Sequence, residues 1–364
     1  MNDGEGASLS AQLHQRILAD IQRQGGWLPF DRFMQLALYE PGLGYYANPG
    51  RKFGAMPGSG SDFVTAPEMS PLFGRALAVQ LEQALQASGR AEVWEFGAGS
   101  GALAAQLLDA LGERVAGYHI VELSAVLRAR QATRLQPWAG RVHWHERLPE
   151  RIDGVIVGNE VLDAMPVQLL RWSGHGWQER GVVAHDNGFE WQDRPTSLRP
   201  PLEAFVPGTV VELHLQAEAF VRTLAAHMGR AAAFFIDYGF PEAEYYHPQR
   251  TGGTLMCHRA HRADDDPLAD VGCKDITAHV NFSGIALAAQ DAGLQVLGYT
   301  SQARFLLNCG LPGLMQQAAL PEAIAAQRLV NEHEMGELFK VIGLARGIEL
   351  DALGFRAGDR SHRL

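Results

Sequence analysis

Residues 91–112, AEVWEFGAGSGALAAQLLDALG, decide how this chain is read. An apolar run ends at Phe96, glycines stand at 97, 99 and 101, and a helical pattern follows to Gly112. Strand, glycine turn and helix open a doubly wound α/β sheet, and such a turn lets a ligand approach the backbone closely. The stretch lacks the Lys-Ser/Thr ending of a phosphate loop, which argues against an NTPase. Gly97, Gly99 and Ala102 can be fitted to the G-x-G-x-x-G/A dinucleotide fingerprint, but that match has low specificity on its own.

Two details favour S-adenosylmethionine over NAD. Glu95 lies two residues before the first glycine. A carboxylate there would repel a pyrophosphate but suits a ligand carrying ammonium and sulfonium charges. The G-x-G-x-G spacing through Gly97, Gly99 and Gly101 also lets the turn pack under an uncharged ribose and a methionyl chain. Glu122, in HIVELSAVL, ends the next strand and is placed to accept hydrogen bonds from a ribose diol. NAD sites use an acid there too, so Glu122 supports an adenosyl ligand without choosing between them. The alternative for Glu95 and Glu122 is capping of the helices that follow.

Outward from the turn, strands are expected at 92–96, 118–122, 142–145, 154–158 and 232–237, with helices at about 101–112 and 124–135. GVIVG and AAAFFID are continuous apolar runs, as buried parallel strands require. Further strands are expected around 294–299 and 338–344. Toward the N-terminus, Leu9, Leu13, Ile17 and Ile21 mark one helix, and 29–39 a second. Residues 39–68 form a Gly/Pro-rich loop, and Ser70-Pro71 starts a helix running to about Ala87. After the fourth strand, 168–195 reads as antiparallel hairpins, with turn signals at Gly174, Gly176 and Asp186-Asn187-Gly188. The expected organisation is an N-terminal helical region, 1–90, and an α/β core, 91–364, with a β insertion at about 167–210 between the fourth and fifth strands.

The fourth strand ends in Gly158-Asn159-Glu160, followed by Asp163. Methyl transfer is an in-line displacement, so a protein supplies orientation and a dry site. A guanidinium acceptor is always protonated in water, and a carboxylate can fix its plane by bidentate pairing. Glu160 is the first candidate for that catalytic role and Asp163 the second; the alternative for Asp163 is an N-cap. Asn159 is assigned to the ligand edge. Asp237, ending FFID beside Tyr238, reaches the same sheet edge and is a third catalytic candidate, with a plain turn acid as its alternative.

The whole chain of 364 residues carries a net charge of −10, which argues against nucleic-acid binding. No apolar run approaches the roughly 20 residues of a membrane helix. MNDGEGASLS has neither a basic, apolar leader nor an Arg-rich presequence, so the expected location is the cytoplasm. Cys257, Cys273 and Cys309 form no CxxC, as suits a reducing compartment. Cys257, His258, His261, Cys273 and His279 fall close together but fit no zinc spacing, so no metal is expected. His279 is assigned to orienting the active-site edge or satisfying the backbone. A homodimer could form through the hairpin insertion or the N-terminal helices.

Several motifs together are more specific than the turn. FMQLALYEPGLGYY (33–46), GSDFVTAPEMSPLFG (60–74), EFGAGSGAL (95–103), NEVLDAMPV (159–167), IDYG (236–239), GGTLMCHRAH (252–261) and DITAHVNF (275–282) span nearly the whole chain. In these the chain resembles the MidA-like class I S-adenosylmethionine-dependent methyltransferases, a family that includes a mitochondrial complex I assembly factor methylating a protein arginine. The resemblance implies a Rossmann-like class I sheet and cofactor roles for Glu95, Gly97, Gly99, Gly101 and Glu122. It also implies that Asp62, Thr65 and Pro67 close over S-adenosyl-L-methionine. Ala98 departs from the proline many members carry there, and the absence of a visible presequence separates the chain from the mitochondrial role.

The leading expectation is therefore a methyltransferase acting on a protein side chain, with arginine the foremost acceptor. The alternatives are a small-molecule methyltransferase with the insertion as a lid, a NAD-dependent oxidoreductase, and a non-enzymatic assembly factor retaining a degenerate cofactor site.

Overall fold

The computed structural model describes residues 3–48, 64–186, 188–202, 205–259 and 262–364. Contacts divide the chain into two units, each assembled from separated segments.

One unit holds residues 64–162, 218–241 and 280–364. Its main sheet runs Gln295–Ser301, Phe339–Arg346, Met228–Phe240, Ile152–Asn159, Glu92–Phe96, Gly117–Val121 and Val142–His145, and Val280–Asn281 pairs with Met228–Phe240 off that path. The five strands from Met228–Phe240 to Val142–His145 are parallel. Phe339–Arg346 returns antiparallel between Met228–Phe240 and Gln295–Ser301. This is a class I methyltransferase-like α/β sheet, as expected. Ile152–Asn159 is buried along nearly its whole length, which accounts for the apolar run GVIVG at 154–158 within it.

The chain leaves Glu92–Phe96 toward one edge of the sheet and comes back to pair on its other side at Ile152–Asn159. Ligands bind at such a reversal, beyond the carboxyl ends of the two strands. The helix Pro71–Ser88 begins as its sequence predicts: the Ser70 hydroxyl accepts the Leu72 N–H at 3.3 Å, and Pro71 fills the first turn. Its apolar face, with Leu72, Phe73, Leu77 and Leu81, joins Val93, Leu107 and Val155 in one core.

The second unit combines residues 3–48, 163–217 and 242–279, so far as they are described. The expected hairpins are present as Gln168–Trp172, Trp177–His185 and Gly188–Pro195. Val210–Leu213 pairs with Gln168–Trp172 at the edge of this sheet, and Leu28–Pro29 pairs with Trp177–His185 at Gly181 and Val182. A second sheet joins Arg262–Asp264, Met256–Arg259 and Asp275–Thr277. Leu13, Ile17, Phe30 and Phe33 share a core with Leu169, Val182 and Ile276. The hairpins thus pack with the N-terminal helices and the 242–279 segment, because a half-apolar sheet must bury that face against something.

Candidate active site

The glycine turn follows directly from its strand. Gly97, Gly99 and Gly101 have φ of 64°, 52° and 80°, a region that disfavours other residues. A Cβ on Gly97 would lie 2.7 Å from Val161 Cγ2, so the turn touches the chain just beyond the fourth strand. Gly101 starts the helix Ala102–Leu111. Glu95 is only 2% exposed, and the Tyr118 hydroxyl donates to its Oε2 at 2.6 Å. Burial pushes its carboxyl up to about 7, against the opposing Tyr118 hydrogen bond and with help from the Glu122 charge.

Glu122 emerges at the end of Gly117–Val121. Its Oε1 accepts the Ser124 N–H at 2.8 Å and its Oε2 accepts from Gln131 Nε2 at 3.3 Å. Burial raises its pKa, partly offset by these hydrogen bonds. Ser124, not Glu122, caps the helix Ala125–Arg134, taking the Leu127 N–H at 3.4 Å. The next side chain after Glu122, Leu123, is 74% exposed, an apolar surface standing open beside the Glu122 carboxylate.

Thr65 and Pro67 belong to the short turn before Pro71–Ser88. The Thr65 carbonyl accepts the Glu68 and Met69 N–H groups. The Pro67 carbonyl accepts from Gln106 Nε2 at 2.7 Å, and Gln106 Oε1 takes the Gly74 N–H at 3.0 Å. Gln106 lies on the helix that follows the glycine turn. Arg134 ties the same segment to the turn through Glu68 at 2.7 Å and Ser100 at 2.6 Å. Asp62 lies outside the described residues, as does His261 of the cysteine–histidine group. Among the described residues no three His, Cys, Asp or Glu side chains converge as a metal site.

At the fourth strand, Asn159 is buried and Glu160 partly exposed. Asn159 Nδ2 donates to Glu160 Oε1 at 3.0 Å, while Asn159 Oδ1 is buried without a partner. Glu160 takes φ 54°, a left-handed conformation unusual for glutamate, and its N–H bonds the Ile236 carbonyl at 2.8 Å. Asp237 is 1% exposed. Its Oδ2 accepts the Val161 and Leu162 N–H groups at 3.0 and 2.8 Å, and its Oδ1 accepts the Tyr238 N–H at 3.1 Å. Asp163 is buried and falls with the second unit, where its carbonyl accepts the Ala278 N–H at 3.0 Å. His279, in the same unit, gives its N–H to the Thr254 hydroxyl at 3.0 Å.

The fold thus brings Thr65, Pro67, Glu95, the three glycines, Glu122, Asn159, Glu160 and Asp237 into one unit. Sequence reasoning overlooked Gln131, Tyr118, Gln106 and Leu123. Gln131 had a readable signal: it is a polar residue between Leu127 and Leu135 at four-residue spacing, on the stripe that should be apolar.

A family model described as S-adenosyl-L-methionine-dependent methyltransferase matches residues 73–300. A COG1565 superfamily member from Burkholderia thailandensis, crystallised with S-adenosyl-homocysteine, is 49% identical and superposes with a TM-score of 0.95, covering 100% of this chain and 99% of that one. The protein arginine methyltransferase NDUFAF7, mitochondrial, of Danio rerio is 28% identical, with 93% of this chain and 88% of the relative covered. Its Homo sapiens counterpart is 26% identical, with 86% and 78% covered.

Proposed function

Because this chain belongs to the S-adenosyl-L-methionine-dependent methyltransferase family, enzymes whose cofactor is S-adenosyl-L-methionine, we propose that the group it methylates is a protein side chain, the guanidinium of arginine. The observation that carries this reading is Glu160, a partly exposed carboxylate held in a left-handed conformation beyond the fourth strand. Backbone strain of this kind persists where function uses it. The curated relatives named protein arginine methyltransferases support the same acceptor.

The residues present fit the cofactor. The positive-φ glycines leave the turn open to a close ligand, Glu122 offers acceptors to a ribose diol, and Leu123 offers an apolar surface to a purine. The segment of Thr65 and Pro67, held to the helix Ala102–Leu111 by Gln106 and, through Glu68, to the turn by Arg134, bounds the same space. The buried Asn159 Oδ1 gives a further acceptor at the ligand edge. When bound, S-adenosyl-L-methionine supplies an electrophilic methyl group.

In this reading Glu160 pairs with the guanidinium, fixes its plane, and takes the proton that leaves the attacking nitrogen. Asn159, bonded to Glu160 Oε1, fixes the carboxylate's rotation. Asp237 acts one step back, clamping the backbone after Glu160, and Asp163 holds a contact of the second unit through its carbonyl. Glu95, paired with Tyr118 in the core, sets the entry to the glycine turn. We place the reaction in the cytoplasm, a reading supported by three free cysteines. Among the described residues no helix is long and apolar enough to cross a membrane.

The test supplies methyl-deuterated S-adenosyl-L-methionine to separate protein and small-molecule fractions of a cell extract. Label on arginine nitrogens of a protein supports the proposal. Label confined to the small-molecule fraction, or to another side-chain type, overturns it.

A further inference from the structure

We propose that Gln131 is a positioning residue for cofactor recognition, one that locks the ribose acid Glu122 to the glycine turn. The proposal rests on the reading of Glu122 as the group that accepts the ribose hydroxyls.

Gln131 lies in the middle of the helix Ala125–Arg134 and is completely buried. A buried amide is costly unless its polar atoms are paired. Here they are paired with three separate elements. Nε2 donates to the Gly99 carbonyl at 3.0 Å and to Glu122 Oε2 at 3.3 Å. Oε1 accepts from Trp144 Nε1, on the strand Val142–His145, at 3.0 Å. These partners fix the orientation of the amide. Turned over, its oxygen would face a carbonyl and a carboxylate, and its NH2 would face the indole N–H.

One amide group therefore spans the middle glycine of the turn and the acid at the end of the neighbouring strand. Glu122 is free at neither oxygen: Ser124 N–H holds Oε1 and Gln131 holds Oε2. Backbone alone could set where the Glu122 Cα lies, but the rotation of its carboxylate depends on these two donors. The helix backbone is held close as well. A Cβ on Gly101 would lie 3.6 Å from both Gln131 Cα and Cγ, so turn and helix come within contact distance at this point. An apolar residue at 131 would fill the same space and leave the Glu122 carboxylate and the Gly99 carbonyl without that donor.

The experiment measures binding of S-adenosylhomocysteine and of its 2′-deoxyribose analogue by calorimetry. The proteins are the wild type, Gln131→Met, Trp144→Phe, Glu122→Ala and the double variant Glu122→Ala/Gln131→Met. The wild type is expected to prefer the ribose ligand, and Glu122→Ala to erase that preference. Gln131→Met is expected to weaken S-adenosylhomocysteine roughly tenfold, the size of a lost hydrogen bond to a charged group, and to erase the preference as well. The double variant should then bind no more weakly than the weaker single one, because both changes remove the same interaction. A residue that merely packs would lower thermal stability without moving the ribose preference. Trp144→Phe frees only the other end of the amide, so it keeps the test open should Gln131→Met fail to fold; a reduced preference is expected from it. Full ribose preference in Gln131→Met or in Trp144→Phe, or additive losses in the double variant, overturns the proposal. Full preference in Glu122→Ala overturns the reading of Glu122 and this proposal with it.

Discussion

Asp237 holds the backbone at Leu162: its Oδ2 takes the Leu162 N–H at 2.8 Å and the adjacent Val161 N–H at 3.0 Å, directly after Glu160. Replacing Asp237 by Asn presents NH2 either to both of these N–H groups or to that of Tyr238. Leaving buried donors unsatisfied costs about 1–3 kcal/mol. Thermal unfolding should register that loss. Transfer should fall roughly 100-fold, as expected for a small misplacement of a reacting group, with S-adenosylhomocysteine affinity retained. Equal losses of affinity and turnover would show that Asp237 serves the cofactor rather than the acceptor loop.

Glu160 stands at φ 54°, where glycine is at ease and glutamate is not. Glu160→Gly should therefore unfold no earlier than the wild type, since about 1–2 kcal/mol of relieved left-handed strain offsets the roughly 0.4–1 kcal/mol that glycine's freedom in the unfolded chain costs, and yet transfer no methyl group. A clear loss of stability in this variant would remove strain from the account of Glu160.

Gly97→Ala brings a Cβ to 2.7 Å from Val161 Cγ2 at a backbone φ of 64°. Both cofactor affinity and transfer should drop. Val161→Ala removes the methyl groups in the way but not the unfavourable φ, so the double variant should recover part of the affinity. No recovery at all would mean that backbone conformation alone governs this position.

Glu95 ties stability to pH. Its folded carboxyl titrates at about 7 against an ordinary value of 4.5, so the folded chain holds a proton that the unfolded chain releases. The stability from this protonated form is complete below about pH 4.5 and is lost as pH rises through about 7, amounting to about 3 kcal/mol at most. Denaturation of the ligand-free protein between those pH values should show the decline, and Glu95→Gln should flatten it. A variant with the wild-type slope would assign the decline to other groups.

The parallel sheet was legible because its strands Ile152–Asn159 and Met228–Phe240 are apolar enough to be buried, and because Gly97, Gly99 and Gly101 punctuate the first turn. The positions of Glu122, Asn159 and Glu160 followed from strand ends. What sequence could not reveal was the direction of side chains. Glu95 precedes the turn in sequence, yet its carboxylate is buried against Tyr118. Asp237 ends a strand at the same edge, yet its oxygens hold backbone. Alternation along a strand decides such facing, and a single residue of register changes it. Gln131 was readable as a polar residue on an apolar stripe, but its role was not: its partners lie 32, 9 and 13 residues away, and only the fold brings them together. The hairpins at 168–195 were visible from their turns, but their shared core with Leu13 and Phe30 depends on contacts across most of the chain.

The most direct test of the account is the turnover of Glu160→Gln, measured beside its affinity for S-adenosylhomocysteine, on the arginine-containing protein identified by isotope labelling. Glutamine keeps the shape and the Asn159 neighbour but loses the charge that pairs with a guanidinium. The account predicts wild-type cofactor affinity with transfer reduced at least roughly 100-fold, the range that a positioned proton acceptor contributes. Undiminished transfer at unchanged affinity would contradict it.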